Sequence, residues 1–364
     1  MNHKLTEAQL FLLNISFVTG SSILMAPGLT AAYARNDAWL SMLFALGAGL
    51  LLNVFFLLCL KQFHYASIFS VMEQAAGRYA GTAINIIIIF YSLHLAAYVV
   101  RNLSNFMTTS ISPEASSFTF QAAIILISLY SVYFGANNLA RVNQFYAPIV
   151  MMLLFFSFIL VINQFDFSNL KPVLYRGIKP VWSGAYTTIG FPFLEMLLLF
   201  SLTGYMSKKK NIPAAYLFSL FTGGIILVLI VLFSIGIQGY DLVQRQTYST
   251  FELMRDIDII DLLERVEVLI GIAWIFGIFV KITICFLCAM LGFQSISRHP
   301  TYRPFLLPAG VFVFVLSNGI HENIISFSDF VSSYWTIWWF ALYLLLTLTM
   351  IAGILFKRHT KTLN

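Results

Sequence analysis

Apolar runs dominate the chain, and the charges fall between them. No Lys, Arg, Asp or Glu occurs in residues 8 to 34, 38 to 60, 79 to 100, 115 to 140, 142 to 165, 211 to 240 or 330 to 356. Each run can hold a helix of about 20 residues, which at about 1.5 Å per residue crosses a hydrocarbon core of about 30 Å. Three further spans are predicted over residues 182 to 205, broken only by Glu195, over 266 to 293, broken by Glu267 and Lys281, and over 304 to 320. The pattern therefore predicts an all-α polytopic membrane protein with ten transmembrane helices. The first run opens on Leu5-Thr6-Glu7, where Thr6 can cap a helix, and no cleavage-like site closes a short apolar core. It reads as a retained span.

Helix breakers divide the ten. Span one contains Gly20, Ser21 and Ser22, then Pro27 and Gly28; span six contains Gly190 and Pro192. Five spans separate them, so residues 7–163 and 182–356 form two halves of five helices whose first members are both interrupted. An odd number of spans per half sends the second half in from the opposite side. That is the expected pattern of a five-plus-five inverted repeat with discontinuous helices 1 and 6 around a central site. Non-helical backbone at membrane depth is tolerated only where it faces protein or a water-filled cavity. Simple packing kinks are the competing reading, since Gly and Pro are common in membrane helices.

Composition sharpens the class. Hydrophobic residues make up 59% and charged residues 10% of the chain, against about 25% charge in soluble domains. The net charge of +6 is mostly a topology signal. Lys4, Lys61, Arg78, Arg141, Lys208, Lys209, Lys210, Arg298, Arg303, Lys357, Arg358 and Lys361 all fall on one predicted side, with only Glu7 and Glu73 against them. The bias of cytoplasmic loops toward basic residues puts both termini inside. Nothing here calls for nucleic acid. The opposite face carries Lys171, Arg176 and Lys179 and an acidic loop near residues 239 to 262, with Asp241, Glu252, Asp256, Asp258 and Asp261. That loop is either a lid or docking surface or a plain solvated connector. Cys59, Cys285 and Cys288 sit in apolar runs and read as packing residues; no disulfide framework, metal site or cofactor is expected.

The breaks supply the candidate chemistry. Unpaired N–H groups and the positive end of a half-helix suit a carboxylate, and freed carbonyls suit an ammonium group, so the site fits a small zwitterion. The expected ligand contacts are Gly20, Ser21 and Ser22 in span one, with Thr188, Gly190 and Phe193 in span six. Glu195 lies 13 residues into span six and Lys281 lies 15 residues into span eight, both counted from the outer face. These depths, roughly 20 and 22 Å, allow them to be neighbours. Their pairing is either architectural or a gate that opens on protonation or ligand binding. Tyr91, His94 and Tyr98 share one face of span three and either line the cavity or pack. Arg101 reads as a snorkelling residue, Asp37 as the cap of span two with Trp39 as its anchor, and Trp335, Trp338 and Trp339 as an interfacial belt. Asn53, Asn85 and Asn143 are candidates for interhelical hydrogen bonds.

On these residues the sequence resembles the B subunits of nutrient germinant receptors of spore-forming bacteria, the endospore germination permease family of the amino acid-polyamine-organocation superfamily. The resemblance runs along nearly the whole chain. It is carried by Asp37-Ala38-Trp39-Leu40-Ser41, Asn169-Leu170-Lys171-Pro172-Val173-Leu174, Glu195, Tyr248-Ser249-Thr250-Phe251-Glu252, and Glu264-Arg265-Val266-Glu267 leading to Trp274 and Lys281. Ser249 departs from it, because the family often has Pro there. The resemblance implies a transporter-like ten-helix subunit in the spore inner membrane that senses a small nutrient, with an amino acid as the expected class. It also implies companion A and C subunits beside the lipid bilayer. The alternative is a proton- or cation-coupled amino acid transporter; a scaffold without its own ligand is a third reading. No nucleotide loop, HExxH motif or nucleophile with an oriented base points to an enzyme.

Overall fold

Thr6 starts the first helix through a reciprocal cap. Its hydroxyl accepts the Gln9 N–H at 3.2 Å and the Gln9 carboxamide accepts the Thr6 N–H at 3.0 Å. From there the chain is helical almost throughout. The computed structural model describes residues 4–255 and 267–362, and the only β pairing among them is an isolated bridge between Leu5 and Met206. The helices are α1 (Glu7–Gly20), α2 (Ser22–Ala34), α3 (Ala38–Lys61), α4 (Ile68–Ala76), α5 (Arg78–Phe106), α6 (Ser117–Phe134), α7 (Ala136–Val161) and α8 (Ile178–Thr188). A π-helical segment (Ile189–Leu194) and a 3₁₀ helix (Glu195–Tyr205) extend α8. Then follow α9 (Ile212–Gln238), α10 (Tyr240–Val243), α11 (Ser249–Arg255), α12 (Glu267–Ser297), α13 (Leu306–Gly319), α14 (Ile324–Ser333) and α15 (Trp335–Thr362).

Among the described residues, eight helical runs are long and apolar enough to cross a membrane, or nine if α13 and α14, bent by 101°, count as one. The chain is an all-α, multi-pass membrane protein. The predicted first span is two helices of 14 and 13 residues meeting at Ser21, and α2 runs into α3 through the single 3₁₀ turn Arg35–Asp37. Neither α1 nor α2 alone reaches membrane length.

The two ends of the bundle are tied by backbone and side chains. At one end Leu5 N–H donates to Tyr205 O at 2.8 Å, Ser207 N–H to Leu5 O at 3.0 Å, and Asn211 to the Glu7 carboxylate at 2.6 Å. At the other end Asp37 is buried, and its two carboxylate oxygens accept the Leu174 N–H at 3.0 and 3.1 Å. Asp37 therefore does not cap α3. Its side chain instead fixes the loop before α8.

α12 forms the axis of the bundle, packed against α1, α5, α6 and α7. The approach to α1 is very close: a Cβ added at Gly20 would lie 2.6 Å from the Gly277 carbonyl oxygen. Buried polar pairs tie other helices. Asn14 donates to Ser219 at 2.9 Å, Ser16 to Asn143 at 2.9 Å, and Asn85 to the Phe69 carbonyl at 3.1 Å. Such bonds contribute about 0.6–2 kcal/mol each within a membrane. Two expectations change here. Residues 248 to 251, 253 and 254 of the long loop are buried, so this part is no solvated connector; Asp256, Asp258, Asp261, Glu264, Arg265 and Val266 lie outside the described residues. Trp335 and Trp339 are 2% and 0% exposed and are core residues, not an interfacial belt.

Candidate functional site

Beyond the break at Ser21, Pro27 leaves a second irregularity inside α2. Pro27 has no N–H to give the carbonyl of Ile23 four residues earlier, and its ring crowds that carbonyl. The hydroxyl of Thr250, in α11, donates to the Ile23 oxygen at 2.7 Å, and that of Ser249 reaches the Leu24 oxygen at 3.4 Å. The buried loop helix thus supplies, through Thr250, the donor that Pro27 cannot. Tyr248 anchors it, donating to the Asn102 side chain at 3.1 Å and packing on Phe106 and Trp274.

Pro192 stands at the break of the sixth span itself. Phe191 leaves helical geometry at φ −115°, ψ 105°, and the freed backbone groups find partners on three neighbouring helices. Gly190 N–H donates to the Thr336 hydroxyl at 3.1 Å, which itself donates to Tyr186 O at 2.5 Å. Asn53 donates to Phe193 O at 3.2 Å, and the Tyr216 hydroxyl to Met196 O at 2.7 Å. Buried backbone groups left without partners would each cost about 1–3 kcal/mol.

Between the two breaks lies an ion pair. Lys281 Nζ on α12 is 2.5 Å from Glu195 Oε2, and both side chains are fully buried. The same ammonium donates to Ser21 Oγ at 2.7 Å, at the break of the first span. Glu195 Oε1 accepts the indole N–H of Trp335 at 2.7 Å. The Phe17 and Phe191 rings stand 5.1 Å from Nζ, within cation–π range. One cation therefore joins α1, the segment after α8, and α12.

The expected contacts separate into two groups. Gly20 and Ser21 meet α12, at Gly277 and Lys281, and the adjoining Ser22 has a buried hydroxyl with no hydrogen-bond partner among the described residues. Thr188, Gly190 and Phe193 face elsewhere. Thr188 donates to carbonyls of its own helix, Gly190 lies against Thr336, and Phe193 fits against Gly49 of α3. The kink at Phe191 turns that ring, and not Phe193, toward the ammonium. Tyr91, His94 and Tyr98 form an aromatic cluster with Trp335 and Trp338: Tyr91 donates to Trp338 O at 3.0 Å, and the His94 ring stacks on Trp335 at 5.9 Å. Tyr98 shares a hydrogen bond with His321 at 2.6 Å, and burial together with the Arg101 charge lowers the affinity of His321 for a proton. Through Trp335 this cluster adjoins Glu195.

Sequence reasoning missed Trp335, Thr336, Phe17, Phe191 and Thr250. The spacing of Trp335, Trp338 and Trp339 was a signal, because it puts them on one helical face, but an interfacial belt explains that spacing equally well. Among the described residues, no group of three or more His, Cys, Asp or Glu could hold a metal ion, and the three cysteines are buried free thiols.

Residues 4–325 match the family described as spore germination protein. The chain belongs to that family. Its relatives include spore germination protein KB of Bacillus subtilis (strain 168), 25% identical over 88% of this chain and 86% of the relative. Another is spore germination protein YndE of the same organism, 26% identical over 81% and 82%. Among solved structures, the fold is similar to MhsT in complex with L-phenylalanine, with TM-score 0.66, 14% identity and coverage of 95% of this chain and 97% of that one. It is also similar to Mhp1, a nucleobase-cation-symport-1 family transporter, with TM-score 0.63, 12% identity and coverage of 96% and 78%. This spore germination protein is thus a membrane protein with a fold found among small-molecule transporters, and its family is not one of enzymes.

Proposed function

We propose that this chain is a transporter-type B subunit of a germinant receptor that binds a small nutrient, an amino acid by class, where helices 1 and 6 are discontinuous. The reading has ten spans in two inverted halves, residues 7–163 and 182–356, with both termini cytoplasmic and the chain in the spore inner membrane beside A and C subunits. The observation that carries it is the Lys281 bridge, which fastens the break of the first span to Glu195 just beyond the break of the sixth. A ligand held there meets Ser21, the unpartnered Ser22 hydroxyl and the backbone at Gly20, and Thr188, Gly190 and Phe193, which face other helices in this conformation, join the site when the second broken helix turns. The arrangement has its six expected contacts buried, so binding requires a second, more open conformation. Only a ligand that prefers one of the two conformations can shift their balance.

Two outputs of that shift are distinguishable. Coupled transport of an amino acid is supported by the likeness to a solved transporter and to a protein bound to L-phenylalanine. Signalling without transport is supported by membership of the germination family and by Lys281, a fixed charge at the junction. Purified protein in sealed proteoliposomes, offered each standard labelled amino acid, separates them. Uptake above equilibrium that disappears when ion gradients collapse establishes transport. Saturable binding without accumulation establishes a sensor, and neither binding nor uptake by any of them sinks the amino acid reading. Ser22→Ala is the site variant, because a Cβ at Gly190 already falls 2.6 Å from Thr336 Cα and a larger residue there would disrupt packing.

A further inference from the structure

The basic cluster Lys171, Arg176 and Lys179 takes no part in the central junction. It lies at the end of the bundle where Asp37 holds Leu174, opposite the end where Leu5 meets Tyr205 and Ser207, next to Lys208. In the orientation that the basic loops favour this end is the outer one, where topology asks for no positive charge. All three side chains are exposed, and none makes an ion pair or a side-chain hydrogen bond among the described residues. Asp166, the one acid in residues 165 to 180, is engaged by the Ser168 N–H at 2.8 Å. The loop itself is fixed, since Asn36 donates to Pro172 O at 2.5 Å and Asp37 accepts the Leu174 N–H.

Below these charges α3 and α8 enclose an apolar groove of about 370 Å³, lined by Leu43, Phe44, Gly47, Ala48, Leu51 and Trp182. Trp182 stands edge-on to Phe44, with ring centroids 5.0 Å apart. Gly47 hollows the floor: an added Cβ there meets nothing within 4 Å. From Phe44 to Leu51 the groove runs about 10 Å along α3, at the usual helical rise. Lys179 and Trp182 are three residues apart on α8 and share a face, which puts Lys179 one turn above the groove. No side chain caps the N-terminus of α8, so the positive end of that helix adds to the field of Arg176 and Lys179. In a bilayer the groove opens on hydrocarbon, where no water fills it. An acyl chain matches its walls, and a phosphate on the same molecule falls at the level of the cations.

We propose that this face is a binding site for one anionic phospholipid, with its phosphate on Lys179 and Arg176 and one acyl chain in the groove beside Gly47. Charge complementarity selects this occupant. A zwitterionic lipid brings a cation of its own to the basic cluster, and a protein helix would fill the groove without using the charges. The site is independent of the nutrient reading. Its effect follows from its place: α8 is the half of the broken sixth span that leads into the kink at Phe191, and a lipid bound to both α3 and α8 braces that half.

The test is fluorescence quenching of the full chain in phosphatidylcholine vesicles containing phosphatidylglycerol brominated on its acyl chains. The part of the quenching that disappears in Trp182→Phe reports the groove, and brominated phosphatidylcholine is the reference. Each cation contributes roughly fivefold, or about 1 kcal/mol, so phosphatidylglycerol is preferred by roughly 25-fold. Lys179→Gln and Arg176→Gln each lower the preference roughly fivefold, and the double variant abolishes it. Gly47→Leu fills the groove, leaves the charges in place and loses most of the preference. These positions are exposed and a Cβ at Gly47 is free of contacts, so the variants fold; melting temperatures in phosphatidylcholine alone check this. Inorganic phosphate and glycerol 3-phosphate added in solution leave the quenching unchanged, which separates a lipid site from a free-phosphate site. Equal affinity for the two lipids, or a preference that survives in the double variant or in Gly47→Leu, overturns the proposal. Displacement by the soluble phosphates overturns it too, as does the absence of Trp182 quenching by either lipid, the result expected if a protein helix covers the groove.

Discussion

Removing either partner of the Lys281–Glu195 pair is expected to damage the protein far more than removing both. Lys281→Met leaves the Glu195 carboxylate with the Trp335 indole as its remaining polar contact, at 2.7 Å. Glu195→Gln leaves a fully buried ammonium with Ser21 at 2.7 Å and two aromatic faces at 5.1 Å. Breaking a buried pair by removing one partner costs about 3–5 kcal/mol, whereas replacing both with neutral groups of similar volume is close to neutral. Independent effects would sum to about 6–10 kcal/mol, and we expect the double variant to lose no more than about 2 kcal/mol, a coupling of at least about 4 kcal/mol. Unfolding in a mild detergent, followed by tryptophan fluorescence, measures all four proteins in one cycle. Trp335 on Glu195 makes the signal sensitive to this site. Strictly additive losses, or single variants each costing under about 1 kcal/mol, would refute the reasoning.

Thr250→Val removes the donor that satisfies the Ile23 carbonyl and should cost about 1–3 kcal/mol; hydrogen exchange should quicken in residues 248 to 254, while Thr250→Ser stays near wild type. Thr336→Val strands the Gly190 N–H, so a loss of similar size is expected, and a melting temperature equal to wild type would count against the account of the second break. Gly277→Ala puts a Cβ 2.7 Å from Gly20 Cα, and overpacking of this kind costs about 1–3 kcal/mol; Ala at Gly47, with no neighbour within 4 Å, is the control and should melt with the wild type. Trp335→Phe keeps the ring but removes the indole donor to Glu195, with an expected cost of about 1.5–3 kcal/mol for a bond to a charged group. A Trp335→Phe protein as stable as wild type would place the carboxylate elsewhere.

How much was legible depended on the range of the interaction. Pro27, Pro192 and the glycines beside them announce backbone breaks in any context, because the missing N–H and the missing Cβ are local properties. Depth could also be counted, since residues in a spanning helix advance by a fixed rise, and this is why Glu195 and Lys281 appeared as possible neighbours from their positions alone. Partners that lie across the bundle left no such trace. Thr250 and Thr336 are ordinary threonines in the sequence, and only packing brings them to the orphaned carbonyl of Ile23 and the orphaned N–H of Gly190. The direction of a side chain at a kink was equally hidden: the turn at Phe191 gives that ring to Lys281 and sends Phe193 against Gly49.

The sequence by itself determined a membrane class, the positions of most helices, the two breaks and the presence of two charges at matching depth. Hydropathy, rise per residue and backbone chemistry are sufficient for that. Tertiary structure alone decided that Lys281 also holds Ser21, that Trp335 leaves the interface to bind Glu195, and that part of an acidic loop folds inward over α2. The reason is common to all three: a buried polar group must find a partner, and which partner it finds is set by which helices the fold brings within about 3 Å.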